Sequence, residues 1–340
     1  MKPPIILSTP SSAELAEDIR LLIAGYGEPA ADRPAPRALH REWFLDGETY
    51  LRIEQPVQHE HVVIVGSTRT AEELLEIVSL SWQVVRDGAE RLSIVIPYFG
   101  YSTMERAVRS GEVVRAKVNA TILSSIPTPP GGKVIFLVDL HAEGIQHYFE
   151  GNASVVHLYA KGAILAKVKE LLRGGTRSLV VGSADTGRAK WVESYANELG
   201  AEIAIITKRR LDGSTTEIFN VGGVDVQGKT VLLYDDMIRS GGSITKAAQA
   251  YRKAGAATII MACTHLILTV GGEAQTLQKV LDQADALITT DSIRSADSLN
   301  NAPESAGKLH FVSIASLLAA AVVAGGRVDE PLTDLPPSAP

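Results

Sequence analysis

The segment from Val231 to Ile244, VLLYDDMIRSGGSI, carries the densest chemistry in the chain. An apolar run delivers two carboxylates, Asp235 and Asp236, to a Ser-Gly-Gly-Ser turn that opens into a helical pattern. Backbone N–H groups at such a turn, the hydroxyls of Ser240 and Ser243 and the positive end of a helix all favour an anion. Gly241 and Gly242 let the backbone approach it closely. Residues Arg239–Ser243 therefore read as a phosphate cradle, and the neighbouring carboxylates are placed to hold a sugar diol. The plainer alternative is a strand–turn–helix with surface acids.

Other candidates lie at the ends of apolar runs. His141 follows Val134–Val138 beside Asp139, where ligands bind in open α/β sheets, although a histidine there is commonly structural. Asp185, in VVGSADTG, follows Leu179–Val181 and could equally cap a helix. Lys208 and Arg210 follow Ile203–Ile206 and precede the polar stretch LDGSTTEIFNVGG. A cationic pair on a loop there could close over a triphosphate; the ordinary meaning of KRR is a solvated charge run. Gly223–Thr230, GVDVQGKT, fits a P-loop pattern, but Lys229 and Thr230 lead into a strand rather than a helix, so it is a turn. His59 and His61 lack a third ligand nearby and read as surface residues.

The elements that must position these groups alternate along the chain. Strand patterns fall at Ile5–Leu7, His61–Val65, Ser93–Ile96, Val134–Val138, Leu179–Val181, Ile203–Ile206, Val231–Tyr234, Thr258–Ala262 and Ala286–Thr290. Helical patterns lie at Ser12–Tyr26, Ala71–Val85, Ile164–Leu172, Val192–Leu199 and Ile244–Ala254. This is an α/β chain with mostly parallel sheets flanked by helices on both faces. Its 340 residues suggest two domains, divided at the EGNAS turn into residues 1–150 and 151–328. A Pro-rich tail, 329–340, is expected to be disordered. The small-residue apolar helix over 312–325 is a candidate to return to the first domain.

Composition narrows the function. A formal charge of -6 argues against a broad nucleic-acid surface. The single cysteine, Cys263, cannot form an intrachain disulfide and suits a reducing, cytoplasmic setting. No apolar run reaches the ~18–20 residues needed to span a bilayer.

Taken together, the motifs resemble the ribose-phosphate pyrophosphokinase (PRPP synthetase) family. VLLYDDMIRSGGSI resembles its sugar-phosphate loop, and FLDGE (Phe44–Glu48), IVIPYFGY with MER (Ile94–Arg106), DLHA with IQ and YF (Asp139–Phe149) and TKRR (Thr207–Arg210) follow in the family's order. The resemblance spans roughly residues 4–325 and implies two phosphoribosyltransferase-type domains. It implies diphosphoryl transfer from ATP to ribose 5-phosphate, giving PRPP and AMP. It makes His141 and Asp185 magnesium ligands, and Lys208 and Arg210 catalytic. Asp235, Asp236 and Arg239–Ser243 would bind ribose 5-phosphate. Phe44, Asp46, Gly47, Glu48, Thr103, Met104 and Arg106 would face the nucleotide, with Asp46–Glu48 able to reach it from a neighbouring subunit of a homo-oligomer. Phe44 is as suited to core packing as to stacking.

Several positions depart from the family pattern. Thr103 and Met104 stand where bacterial members carry an Arg-Gln pair, and Ala107 and Gly111 replace basic residues. ERAVRSGEVVRAKVNATILSSIP is similar to the phosphate-independent, plant-type branch. Gly144, Asn152 and Arg239 stand for a Gln, a Pro and an acid. Donors other than ATP are therefore expected to serve. Two other readings compete: a phosphoribosyltransferase consuming PRPP, and a non-catalytic regulatory subunit associated with a synthetase.

Overall fold

The structure is a computed structural model that describes residues 2–25, 39–172, 178–183, 189–210, 217–293 and 307–326. Asp185 and the tail 329–340 lie outside the described residues. The chain divides into two units. One holds the chain up to Tyr159 and takes it back from Ile314, and the other is Ala160–Ser313.

The first unit is a five-stranded parallel sheet in the order β1 (Ile5–Ser8), β4 (His61–Val65), β5 (Arg91–Ile96), β6 (Lys133–Val138), β7 (Ala153–Leu158). Apolar residues are buried on both of its faces because alternate positions point to opposite sides. Ile64, Ile94 and Ile135 pack with Ile77 of α2 (Ala71–Arg86) and Ala120 of α3 (Arg115–Ser124). Val63, Val95 and Phe136 are buried as well. α1 (Ala13–Gly25) packs on α8 (Ala315–Val323). Just past α8, a Cβ on Gly326 would lie 3.0 Å from Val134, which places the end of that helix against the sheet. Ser12 does not cap α1; it closes a 3-10 turn, Pro10–Ser12, ahead of it.

β7 joins this first sheet, so the first unit runs past residue 150 to Tyr159. A second strand pair missing from the sequence reading is the antiparallel hairpin β2 (Leu39–Trp43) and β3 (Thr49–Ile53). His61 is mostly buried rather than a surface residue. Its Nε2 lies 2.9 Å from Ser93 Oγ, and burial, aided by the charge of Arg91, lowers its pKa to about 4.

The second unit is a seven-stranded sheet in the order β10 (Glu217–Gly223), β9 (Glu202–Arg210), β8 (Leu179–Ser183), β11 (Thr230–Ile238), β12 (Thr258–Leu266), β13 (Ala286–Thr290), β14 (Leu309–Val312). Only β9 and β10 pair antiparallel. On one face Val231 and Leu233 meet α6 (Gly242–Lys253) and α7 (Glu273–Leu281). On the other, Leu232 and Tyr234 meet α4 (Lys161–Leu171) and α5 (Ala189–Leu199). After β8 the chain moves outward to β9, then returns to the other side of β8 as β11. The strand order thus reverses between β8 and β11, and it is at the carboxyl ends beside such a reversal that open α/β sheets bind ligands. Among the described residues no helix is long and apolar enough to cross a membrane.

Candidate active site

β11 continues to Ile238, four residues beyond the expected end at Tyr234, because its ladder with β12 persists through Met237 opposite His265. Asp235 and Asp236 are therefore fixed strand residues rather than members of a loop. Asp236 is 2% exposed and Asp235 is half-buried, with its Oδ1 accepting the Asp236 amide at 3.0 Å. Just before them, the Tyr234 ring stacks on Tyr195 at 4.4 Å, and its hydroxyl lies 3.1 Å from Thr264 Oγ1. Opposite Asp235, burial, joined by the charges of Asp235 and Asp236, pushes the Cys263 thiol up to about 12 despite its bond to Thr289. That keeps the thiol in its neutral form near neutral pH.

Gly241 caps α6 in the left-handed region at φ 68, and a Cβ there would lie 2.6 Å from Val280 Cγ2 of α7. Only glycine meets both demands without strain. α6 begins with no acidic residue in its first turn and no side-chain cap. The Gly242 amide donates to Ser240 Oγ at 3.5 Å, and Arg239, Ser240 and Ser243 are exposed at this helix start, where the dipole favours an anion. The Thr245 hydroxyl donates to the Gly241 carbonyl (2.7 Å), and Lys279 Nζ donates to that of Ser240 (3.3 Å). Lys279 is a cation at the cradle that the sequence reading missed, since it lies on a different helix.

Lys208 and Arg210 do not sit on a loop. Their backbone belongs to β9, with Lys208 in register with Phe219 and Arg210 with Glu217 of β10. The strand runs on because β10 pairs with it; the polar stretch expected to be loop is largely this partner strand.

In the first unit, His141 follows β6 across a bent corner. Asp139 is buried at φ 37, a left-handed conformation that costs a non-glycine residue roughly 1–2 kcal/mol. The Asp139 amide still donates to Leu158 (3.0 Å), but the next amide, that of Leu140, donates to His157 Nε2 (2.9 Å). Leu140 is 3% exposed, and a buried N–H left unmatched would cost about 1–3 kcal/mol. The His157 ring lies against that of Tyr159, tilted by 44° with centroids 4.4 Å apart. Burial, then the charges of Glu143 and Asp139, raise the pKa of the Tyr159 hydroxyl. The corner is thus locally anionic, with the half-buried His141 at its lip.

The structure ties the loop bearing Thr103, Met104 and Arg106 to this corner. The Tyr148 hydroxyl, in the 3-10 turn Glu143–Tyr148 after His141, donates to the Glu105 carbonyl (2.5 Å). Arg115 lies 4.5 Å over the Tyr101 ring. Gly100 lets β4 and β5 end side by side: a Cβ there would lie 1.9 Å from the Thr68 carbonyl. Thr103, Met104 and Arg106 are all exposed. Phe44 to Glu48 form the tip of the β2–β3 hairpin, where Glu48 N–H donates to Asp46 Oδ1 (3.0 Å) and Gly47 takes φ 91. Phe44 is 46% exposed, which rules out the core-packing role and leaves its ring, 6.3 Å from Tyr50, open for stacking.

Comparison with known proteins supplies the missing discrimination. Residues 5–126 match the N-terminal domain of ribose phosphate pyrophosphokinase, and residues 154–293 match a phosphoribosyl transferase domain. A ribose-phosphate pyrophosphokinase of Chlorobaculum tepidum is 33% identical over 324 residues, covering 95% of this chain and 92% of that one. One from Ralstonia nicotianae is 33% identical over 278 residues, covering 81% and 83%. The chain belongs to the ribose-phosphate pyrophosphokinase family. Membership makes it a diphosphate-transferring enzyme, and the matched N-terminal domain sets it apart from a plain phosphoribosyltransferase. The crystal structure of phosphoribosylpyrophosphate synthetase from Mycobacterium smegmatis is similar throughout, with a TM-score of 0.76 at 27% identity, covering 95% of this chain and 99% of that one.

Proposed function

We propose that the chain transfers the diphosphoryl group of ATP to the anomeric hydroxyl of ribose 5-phosphate, giving PRPP and AMP for nucleotide biosynthesis. The observation that carries this reading is the acid-free N-terminus of α6, capped by Gly241 alone, directly after the carboxylates of β11 and beside the point where the strand order reverses. Residues Arg239–Ser243 hold the 5-phosphate through backbone N–H groups and hydroxyls. Asp235 and Asp236 accept hydrogen bonds from the ribose hydroxyls. The Phe44 ring stacks on the base, with Asp46, Gly47, Glu48, Thr103, Met104 and Arg106 around the nucleotide. Such a reading takes the chain to work as a homo-oligomer in the cytoplasm.

The attacking hydroxyl must meet the β-phosphorus in line with the departing AMP, so positioning and electrostatics supply most of the rate. Lys208 and Arg210 stabilise charge on the transferred group and the leaving phosphate. By the family resemblance His141 is a magnesium ligand and Asp185 the second metal position, and an ion at either would keep the waters and phosphate oxygens that magnesium favours. The anionic surroundings of the β6 corner favour a cation there. Bound there, magnesium would neutralise polyphosphate charge.

Incubating the purified chain with ATP, ribose 5-phosphate and magnesium should release AMP and PRPP in equal amounts. No AMP release from the chain alone would favour a regulatory subunit. Consumption of PRPP with a nucleobase and no synthesis from ATP would favour a phosphoribosyltransferase.

A further inference from the structure

We propose that His157 is a positioning residue for the β6 corner, holding the Leu140 amide and thereby aiming His141. The inference rests on the reading of His141 as a metal ligand.

The geometry follows from accounting for each backbone N–H after β6. The ladder to β7 ends with Val138 opposite Leu158, and the Asp139 amide adds one more bond, to the Leu158 carbonyl. The left-handed turn at Asp139 then swings the Leu140 amide out of line with that ladder. Leu140 is buried, so its N–H needs a partner from the protein. His157, in register with Leu137 on β7, supplies it by reaching past the last rung.

A backbone N–H only donates. His157 therefore presents a lone pair at Nε2 and carries its ring proton on Nδ1. Tyr159, tilted by 44° at 4.4 Å, packs against the ring. The residue after Leu140 is His141, so one side chain on β7 sets the direction in which the candidate ligand leaves the sheet. Groups that orient a ligand from behind typically matter by about 10–100-fold in metal affinity.

The test compares the full-length chain with His157→Phe, His157→Gln and His141→Ala. Mn²⁺ binding is followed by electron paramagnetic resonance in the presence of a methylene analogue of ATP, and kcat and KM are measured for both substrates. His157→Phe keeps a ring against Tyr159 but loses the acceptor; it should weaken Mn²⁺ binding by about tenfold or more and raise the Mg²⁺ needed for half-maximal rate. KM for ribose 5-phosphate should stay unchanged. His157→Gln retains an acceptor oxygen and should recover most of the affinity. Wild-type Mn²⁺ binding by His157→Phe, alongside a loss in His141→Ala, overturns the proposal while leaving the metal reading intact. Undiminished binding by His141→Ala overturns the metal reading and the proposal with it. Equal loss in a folded His157→Gln would assign His157 to packing alone and also overturn it.

Discussion

Two strand ends carry the candidate chemistry, and they are built in opposite ways. β11 in the second unit runs into a glycine-capped helix with no acid in its first turn, where the Ser240 hydroxyl meets a leading amide, that of Gly242. β6 in the first unit runs into a strained aspartate, the nearby carboxylate of Glu143 and a side-chain-held amide. The difference follows from what each end must attract. An anion can be met by backbone donors that every residue supplies, so the protein needs only glycine and a helix start. A cation needs oxygen atoms and lone pairs aimed inward, so side chains and a bent backbone must do the work. Topology reinforces the contrast. The second sheet reverses its strand order, whereas the first proceeds in one direction and is joined at the β6 corner by the loop bearing Glu105.

That comparison assigns holding mainly to backbone and charge stabilisation to side chains, and it can be broken. The largest effect is expected for Lys208→Ala, which should lower kcat and kcat/KM together by ~10²-fold or more. A change in KM alone would move Lys208 to the holding side. Next, Asp235→Asn should weaken ribose 5-phosphate by about ten- to a hundredfold, the loss of one charge-assisted hydrogen bond, with ATP affinity nearly constant. Calorimetric titration of both ligands decides it, and unaltered sugar binding in the folded variant removes the diol role.

Gly241→Ala is a sharper probe of the backbone cradle. The left-handed cost of ~1–2 kcal/mol should raise KM for ribose 5-phosphate by about tenfold. Adding Val280→Ala should relieve the contact with α7 but not the backbone strain, so only part of the loss should return. A wild-type KM in the single variant would show that the cradle tolerates a side chain. The smallest effect concerns the donor. Thr103 and Met104 offer one hydroxyl and an adaptable apolar surface, so GTP, CTP or UTP should serve within about tenfold of ATP, and added phosphate should activate little. A thousandfold preference for ATP in kcat/KM would mean that adenine is read by other groups.

Much of this was legible before any coordinates. Val231–Leu233 and Ile94–Ile96 announce buried strands because both sheet faces are covered, and SGGS announces a helix start. The end of β11 was not legible, because DDMI looks like loop until its pairing with β12 is known. The β2–β3 hairpin carried a readable signal, an Asp-Gly turn between LHREW and TYLRI, but its strands are too exposed and charged to show apolar alternation. α7 was readable too, from the spacing of Leu277, Val280 and Leu281. His157 was beyond reach: its role depends on a backbone turn in another strand.

The order of the units along the chain bears on how the protein is made. The second unit is inserted between Tyr159 and Ile314, and α8, which packs on α1, is synthesised only after that whole unit. A ribosome therefore completes the whole seven-stranded unit before the earlier one can be closed. During that interval the face of α1 that meets α8 has no partner in the nascent chain. A polypeptide released short of Ile314 would keep that face open, and so present a segment made before the second unit to chaperones and proteases.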